Sequence, residues 1–204
     1  MNKLSKIISE IAHPVFIPTY TLLMGLATGL IGYIPLRILI HNIIWIEFIT
    51  LIIPFFIILL LQSCRIIKSL TMESRKERII SIILMITALT VCLIGIPETN
   101  YTYYIIFIII LIITSFAALI ITPLWMISLH TLGWGCLSGY CYILSFLSHD
   151  TYLPYFIGSI LVSGIVSSAR LQLKAHTPTQ IYAGFVIGFV ISLSSTVSLF
   201  SYFV

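Results

Sequence analysis

Charged side chains are scarce in this chain: lysine, arginine, aspartate and glutamate together make up 8% of its 204 residues. A soluble domain carries about a quarter of such residues, so a chain this poor in charge cannot cover its surface with polar groups in water. Apolar residues contribute 60% of the sequence. The composition therefore predicts an integral membrane protein that forms a single domain over residues 1–204.

Acidic residues are rarer still, because the chain has six of them and only Asp150 is an aspartate. Magnesium-dependent transfer of lipid-linked phosphate needs clustered carboxylates to hold the metal, and the sequence contains no such cluster. A zinc hydrolase needs a close set of histidine, cysteine and carboxylate ligands, whereas the four cysteines have no metal-ligand spacing. We therefore expect buried thiols and no metal or other cofactor.

Long apolar runs, by contrast, are frequent, and a helix of roughly 20 residues crosses about 30 Å of hydrocarbon. The runs fall near residues 14–34, 38–62, 79–97, 103–122, 126–147, 153–169 and 180–203. Histidine and glycines weaken the fifth run and the sixth is short, so we expect six or seven spans. Strands are excluded because these runs lack the alternation of a barrel wall. The sequence predicts an all-α, polytopic transmembrane helical bundle.

Basic residues are unevenly distributed between the two predicted membrane faces. With seven spans, nine of the ten lysines and arginines fall on the face that also receives the N-terminus. Arg37 lies on the other face, together with Glu98 and Asp150. The positive-inside rule makes the basic face cytoplasmic, so we expect a protein of the bacterial inner membrane with this orientation.

Three polar segments lie on the predicted basic face, at residues 68–78, 127–135 and 167–188. An even number of predicted spans separates each segment from the next, so all three can meet at one end of the bundle. The sequence therefore predicts a shared site, carried by a core of about residues 63–204.

The first polar segment has a helical charge pattern. At about 100° per residue, Lys68, Arg75 and Arg78 fall on one stripe, with Glu73 and Glu77 nearly opposite. The pattern predicts an early extension of the following span, with a cationic stripe along it. Taken alone, such a stripe also suits a juxtamembrane helix that binds lipid headgroups.

The third polar segment combines a helix start with cations and an imidazole. Thr177 followed by Pro178 predicts an N-cap and a first helical residue. His176 then lies beside the free N–H groups and the positive end of the helix dipole. Arg170 offers a planar fork that suits a phosphate. Gln180 is close enough to accept from the Nδ1–H of His176, which leaves Nε2 free to act.

The second polar segment places His130 and Ser128 at membrane depth, beside two glycines that permit close backbone approach. A polar histidine there is costly and marks a candidate functional residue. A lone histidine is more often structural, but a second histidine on the same face shifts the balance towards function. We expect the remaining three, His13, His41 and His149, to be interfacial.

These residues resemble the motifs of a known superfamily. Arg170, His176 and Gln180 have the pattern R-x5-H-x3-Q, which resembles the third motif, SR-x5-H-x3-D, of the type-2 phosphatidic acid phosphatase and vanadium haloperoxidase superfamily. The segment ISLH, which contains Ser128 and His130, resembles the second motif, PSGH.

The first motif of the superfamily has a K-x6-R spacing, which Lys68 and Arg75 reproduce, although Lys76 replaces the proline that follows. Arg78 is a competing candidate for the arginine. The order of the motifs and their common face agree with the family, and the resemblance spans residues 68–188.

The resemblance implies a helical membrane phosphatase that hydrolyses a phosphomonoester or pyrophosphate on a lipid without a metal. His176 would be the nucleophile that forms a phosphohistidine, His130 the general acid, and Gln180 the residue that orients the nucleophile. The residues that would cradle the phosphate are Lys68, Arg75 or Arg78, Ser128 and Arg170. The implied partners are a phosphorylated lipid and membrane lipids, with no nucleic acid.

Two further departures from the family pattern bear on the chemistry. Gln180 replaces an aspartate, and an amide cannot stabilise an imidazolium by opposite charge. Leu129 replaces a glycine that lets the backbone approach phosphate. Two alternatives therefore remain open: a weak or inactive homologue that binds or transports an anionic lipid, and a subunit of a larger membrane complex. The cytoplasmic orientation also differs from the outward-facing sites usual in this superfamily.

Overall fold

The structure, a computed structural model, describes residues 3–29, 31, 35–68, 74–96, 101–147 and 151–203. These residues form nine α-helices: α1 Lys3–Ile11, α2 Ile17–Ala27, α3 Leu36–Glu47, α4 Ile53–Ser63, α5 Arg75–Ile94, α6 Thr102–Ile121, α7 Leu129–Leu147, α8 Leu153–Gln172 and α9 Pro178–Phe203. No strand occurs in these ranges, so the predicted all-α class is confirmed. A 3₁₀ turn joins α1 to α2, and a π-helical turn joins α3 to α4.

The protein is an integral membrane protein, because six of its helical segments are long and apolar enough to cross a membrane. These are Lys3–Ala27, Leu36–Ser63, Arg75–Ile94, Thr102–Ile121, Leu153–Gln172 and Pro178–Ser201. The helix α7, with 19 residues, is a seventh long helix outside these six segments, and it contains His130 and three glycines. The expectation of six or seven long helices therefore agrees with the structure.

The first span begins earlier than the sequence indicated, at Lys3 rather than near residue 14. Pro14 opens the 3₁₀ turn and Pro18 lies in the first turn of α2, where the missing proline N–H breaks no helical hydrogen bond. The helical path therefore continues through both prolines. As a result α1 becomes part of the bundle and packs against α8, where Ser5 donates to Gln172 Oε1 at 2.6 Å.

The polar helix α7 lies at the centre of the bundle, and most of its side chains are buried. Gly135 and Gly139 of α7 face α9 closely: a methyl group at Gly139 would lie 2.5 Å from Phe189 O. A methyl group at Gly184 of α9 would lie 2.7 Å from Ser128 O, just before α7. Small residues allow such close packing of helix backbones in membranes. The composition that weakened the fifth apolar run therefore reflects a helix that faces protein rather than lipid.

Substituting Gly188 tests this contact. An alanine methyl group there would collide with the carbonyl oxygen of Leu132, a backbone atom that moves only with α7 itself. We expect Gly188→Ala to destabilise the protein by about 1–3 kcal/mol, read as a lower thermal midpoint in detergent. Gly164→Ala is the matched control, since nothing lies within 4 Å of its added methyl group. Equal midpoints for the two variants would contradict the close α7–α9 contact.

Three of the four cysteines are buried, as expected, whereas Cys64 is exposed. All four are free thiols. Cys64 differs because it follows the last residue of α4, where the chain leaves the helix.

Several helices end or begin at one end of the bundle, which we name the basic end. It comprises the first turns of α5, α7 and α9, the last turns of α6 and α8, and helix α1. Arg75 of α5 donates to Pro123 O just after α6, at 2.6 Å. Ser128, just before α7, donates its N–H to Gln180 O of α9 at 3.2 Å. These contacts place the candidate residues at one end.

Candidate functional site

The second and third polar segments meet at the start of α7 and α9. Besides the Ser128–Gln180 contact, Thr131 of α7 donates its hydroxyl to Ile181 O at 2.9 Å. Two helix N-termini therefore lie side by side, and the positive ends of both helix dipoles face this region. The predicted convergence of these two segments is confirmed.

A tight turn brings His176 back towards Arg170. Lys174 adopts a left-handed conformation with φ of 53°, and its N–H donates to Leu171 O at 2.9 Å. Ala175 donates to Arg170 O at 3.1 Å, which completes a Schellman motif at the end of α8. The chain therefore reverses its direction within a few residues. As a result, Arg170 and His176 lie near each other although six positions separate them in the sequence.

Helix α9 begins at Pro178, as predicted, and a capping box holds its first turn. Thr177 N–H donates to Gln180 Oε1 at 3.0 Å, and Gln180 N–H donates to Thr177 Oγ1 at 3.4 Å. Gln180 Oε1 also lies 3.2 Å from His176 Nδ1. Because this oxygen can only accept, Nδ1 must carry the proton. The predicted contact that fixes the His176 tautomer is therefore present.

Two arginines flank His176 without a carboxylate partner. Arg78 is buried and donates from Nη1 to Ile127 O at 3.0 Å. Arg170 donates from Nη1 to Ser9 Oγ at 2.9 Å, while its buried Nε has no hydrogen-bond partner. In the described part of the chain, the one ion pair is the exposed contact between Lys6 and Glu10, so neither arginine is paired with a carboxylate there. Arginines with spare donors and no counter-charge suit a bound anion.

The environment of His176 keeps its imidazole neutral at pH 7. Burial is the largest cause, followed by the positive charges of Arg78 and Arg170, and together they lower its pKa from 6.5 to about 4. Hydrogen bonds with Gln180 and with the backbone of Met126 oppose this shift. A neutral imidazole is the form that acts as a nucleophile. The expectation of a free Nε2 is not confirmed, because the ring has this second partner at Met126.

His130 lies at the same end, buried, with its ring turned towards α1. Its Nε2 is 3.1 Å from Ser9 O and 3.3 Å from Ser9 Oγ. The charge of Arg170 acts on the His130 ring as it does on His176, so the two imidazoles share one electrostatic environment. The Ser9 hydroxyl links Arg170 to His130. An incoming anion that contacts both groups must therefore displace this hydroxyl.

Sequence reasoning missed the contribution of α1 to this site. His13, expected to be interfacial, is exposed but packs edge-on against His130, with ring centroids 5.0 Å apart. Its Nδ1 accepts from Val15 N at 3.3 Å, so the ring also caps the 3₁₀ turn. The missed signal was the four-residue spacing of Ser5, Ser9 and His13, which puts three polar side chains on one helical face.

The remaining two histidines behave differently. His41 is exposed on α3, and no contact within the described residues joins it to this site; its interfacial position stays a prediction. His149 lies outside the described residues, as does Asp150.

The predicted cationic helix over residues 68–78 is wrong. Helix α5 begins only at Arg75, because Ser74 caps it: its hydroxyl accepts from Glu77 N at 3.3 Å, and Glu77 Oε2 accepts from Ser74 N at 3.2 Å. The Lys68 side chain is exposed, and its backbone N–H donates to Glu77 Oε1 at 2.7 Å. Glu73 lies outside the described residues.

The structure distinguishes the two candidate arginines of the first motif. Arg75 is exposed and holds Pro123 O, whereas the buried Arg78 is close enough for its charge to act on His176 and Arg170. The K-x6-R spacing therefore selects Arg75, whose side chain contacts Pro123 O instead of the site. Arg78, one turn later on α5, lies at the site.

Ser128 has a structural role that the geometry shows directly. Its buried hydroxyl accepts from Thr131 N at 3.4 Å and its carbonyl accepts from Leu132 N at 3.0 Å, so it caps α7. Its contact with phosphate stays a prediction. Leu129, in place of the family glycine, is the first residue of α7.

Within the described ranges, no group of three or more histidine, cysteine, aspartate or glutamate residues is placed to hold a metal ion. The site as built is thus two arginines, two buried imidazoles and adjacent helix N-termini, with Ser9 and His13 added from α1. Comparison with protein-family models, with curated proteins and with solved structures finds no match to this chain.

Proposed function

We propose that this protein is a membrane-embedded lipid phosphatase that hydrolyses a phosphomonoester or pyrophosphate through a phosphohistidine, without a metal. The observation that carries the proposal is His176, a neutral imidazole held by Gln180 between two arginines that lack carboxylate partners. The motif resemblance to the type-2 phosphatidic acid phosphatase superfamily assigns the same residues. The proposal makes the protein a phosphoric monoester hydrolase of lipid metabolism.

In the proposed reaction, a nitrogen of His176 attacks phosphorus and forms an N–P bond while the P–O bond to the lipid alcohol breaks. His130 gives the leaving oxygen a proton. Water then attacks the phosphohistidine, His130 takes a proton from that water, and inorganic phosphate leaves with His176 restored. Charge spreads over the phosphoryl oxygens in both steps, so the fixed charges of Arg78 and Arg170 stabilise both transition states.

The orientation of the protein is part of the proposal. Nine of ten basic residues were assigned to the face that carries the site, which would place it on the cytoplasmic side of a bacterial inner membrane. Helix ends that present free N–H groups and arginines towards one aqueous face also suit a headgroup at the membrane surface.

A second candidate function is binding or transport of an anionic lipid without chemistry. Gln180 favours it, because an amide can hold the tautomer of His176 but leaves the phosphoimidazolium without an opposite charge. The Ser9 contacts of His130 favour it as well, since they occupy the nitrogen that would deliver a proton. This candidate uses the same arginines and needs no reaction at His176.

Phosphate release from purified protein in detergent with EDTA distinguishes the two candidates. The substrates are phosphatidate, phosphatidylglycerophosphate, a prenyl pyrophosphate and a lipid A phosphate. We expect release from at least one lipid, abolished in His176→Ala and retained in His41→Ala, an exposed histidine away from the site. We also expect His176→Ala to keep binding the lipid. No release from any lipid by the unaltered protein, together with lipid binding, would establish the binder.

A further inference from the structure

Helix α1 ends against two donors of the candidate site. Arg170 Nη1 donates to Ser9 Oγ at 2.9 Å, and His130 Nε2 lies 3.1 Å from Ser9 O. Because a carbonyl oxygen can only accept, Nε2 of His130 carries the proton in this arrangement. One residue of α1 therefore supplies two oxygens to two donors. A phosphoryl group at the site would offer its oxygens to the same donors.

The carbonyl oxygen of Ser9 is available because α1 ends there. In a continued helix it would accept from His13 N, but this N–H donates to Glu10 O at 3.3 Å instead. The last carbonyls of a helix also carry the negative end of its dipole. The end of α1 therefore brings partial negative charge to Arg170 and His130, neither of which is paired with a carboxylate in the described chain.

Ser9 satisfies Arg170 only in part. The hydroxyl accepts from Nη1, whereas the buried Nε of the same guanidinium has no hydrogen-bond partner. A guanidinium binds an oxyanion best when two of its N–H groups donate together, and a single hydroxyl oxygen cannot accept from both in that geometry. An anion with several oxygens is therefore a better partner for Arg170 than Ser9 is.

Polar contacts hold the inner face of α1 on α8. Ser5, one turn before Ser9, donates to Gln172 Oε1 at 2.6 Å. The outer face of α1 carries three exposed apolar side chains, Leu4, Ile7 and Ile11. A short 3₁₀ turn, Pro14–Phe16, separates α1 from α2. An anion that replaces the Ser9 contact therefore removes one of the bonds that hold α1 in place, and the 3₁₀ turn is where the helix can move.

We propose that α1 is a latch on the empty site. Ser9 takes the place of two phosphoryl oxygens there, and a phosphate group binds Arg170 and His130 only after it has displaced Ser9 and released α1. Release also frees Nε2 of His130, the nitrogen that delivers a proton in the proposed reaction. The inference rests on the proposed function for this last step, whereas the exchange of Ser9 for an anion needs no reaction. Ser9 is thus a positioning residue that competes with the ligand.

Orthovanadate, a phosphate analogue, tests the latch by isothermal calorimetry in detergent and EDTA. We expect Ser9→Ala to bind it about tenfold more tightly than the unaltered protein, because the substitution removes the hydroxyl that competes for Arg170; one hydrogen bond to a charged group acts on this scale. Loss of a merely structural contact would not raise the affinity. Ser9→Thr keeps a hydroxyl, so its affinity should stay close to that of the unaltered protein.

Ser5→Ala is the matched control, since it makes the same change on the same face of α1 and removes only the contact with Gln172. We expect its affinity for orthovanadate to be unchanged. Equal or weaker binding in Ser9→Ala overturns the latch, because Ser9 would then be a ligand of the anion or have no part in its binding. Equal tightening in Ser9→Ala and Ser5→Ala overturns the role of the Ser9 hydroxyl.

Hydrogen exchange of the unaltered protein gives a second readout that needs no variant. We expect saturating orthovanadate to speed amide exchange in Lys3–Ile11, because α1 leaves α8 when the anion binds. Slower or unchanged exchange in this helix overturns the latch. Failure of the proposed function is distinguishable, since a protein that releases no phosphate from any lipid still gives both results. Absence of orthovanadate binding in both the unaltered protein and Ser9→Ala overturns the latch together with the anion site.

Discussion

We expect that replacing Arg78 with methionine lowers kcat/KM of the proposed phosphatase reaction by about 10³-fold, the scale on which removing one charge-stabilising donor acts in other enzymes. Arg78 is buried, acts on His176 and has no carboxylate partner in the described chain. Its charge is therefore available to the phosphoryl oxygens as negative charge redistributes in the transition state. Arg78→Lys keeps the charge but loses the planar fork, so we expect an intermediate loss.

Arg75→Met is the control for this prediction. Arg75 lies one turn earlier on α5, is exposed, and holds Pro123 O instead of the site. We expect its kcat/KM to stay close to that of the unaltered protein. Because Arg78→Met also leaves Ile127 O without its donor, the thermal midpoint of each variant is measured beside its activity. A larger kinetic loss in Arg75→Met than in Arg78→Met would contradict this prediction and would make Arg75, as the K-x6-R spacing indicates, the phosphate-binding arginine of the first motif.

Replacing Gln180 with aspartate raises kcat at pH 7 by about tenfold or more. A carboxylate beside Nδ1 stabilises the imidazolium that forms when His176 attacks phosphorus, which the amide oxygen cannot do. In a serine protease, exchanging the equivalent aspartate for an amide costs about 10⁴-fold, which sets the scale of what a carboxylate contributes. We expect a smaller gain here because Gln180 Oε1 also accepts from Thr177 N, a contact that the shorter aspartate would have to keep while reaching His176.

The pH profile gives the same prediction a second readout. With a pKa of about 4, His176 is neutral above that pH, so the acid limb of kcat/KM lies near pH 4 in the unaltered protein. A neighbouring carboxylate favours the charged imidazole, so the limb moves to higher pH in Gln180→Asp. Thr179→Asp is the control. It adds a charge to the same helix start, at a residue whose side chain contacts Thr177 rather than His176. A shifted limb without faster turnover would contradict the proposed gain from the carboxylate.

Much of the fold followed from local rules in the sequence. Apolar runs of sufficient length identified most of the spans. A backbone that crosses hydrocarbon must satisfy its hydrogen bonds internally, and a helix does so within one segment. The start of α9 was predicted because Thr177 and Pro178 form a capping signal between adjacent residues, and the structure adds Gln180 to this cap. Such short-range contacts depend on residues that are close together in the sequence, so they can be predicted from a single sequence.

The errors arose where distant segments decide the outcome. The K-x6-R spacing assigned Arg75 to the site, with Arg78 as its competitor, but the packing of α5 against residues nearly 50 positions later decides between them: Arg78 donates to Ile127 O and Arg75 to Pro123 O. Ser9 and His13 were missed because their role depends on α1 packing against α8, a contact across more than 150 residues. The sequence showed that α7 is only weakly apolar. The cause, that α7 lies at the centre of the bundle and packs closely against α9, could be seen only in the structure.

The most direct test of the cationic site is a titration of the purified protein with orthovanadate, a phosphate analogue, in detergent and EDTA. Isothermal calorimetry measures the affinity and the number of sites. The structure predicts saturable binding at one site, retained in Arg75→Met and weakened at least tenfold in Arg170→Met and in Arg78→Met. Absence of binding, or equal affinity in all four proteins, would contradict an anion site built by Arg78, Arg170 and His176.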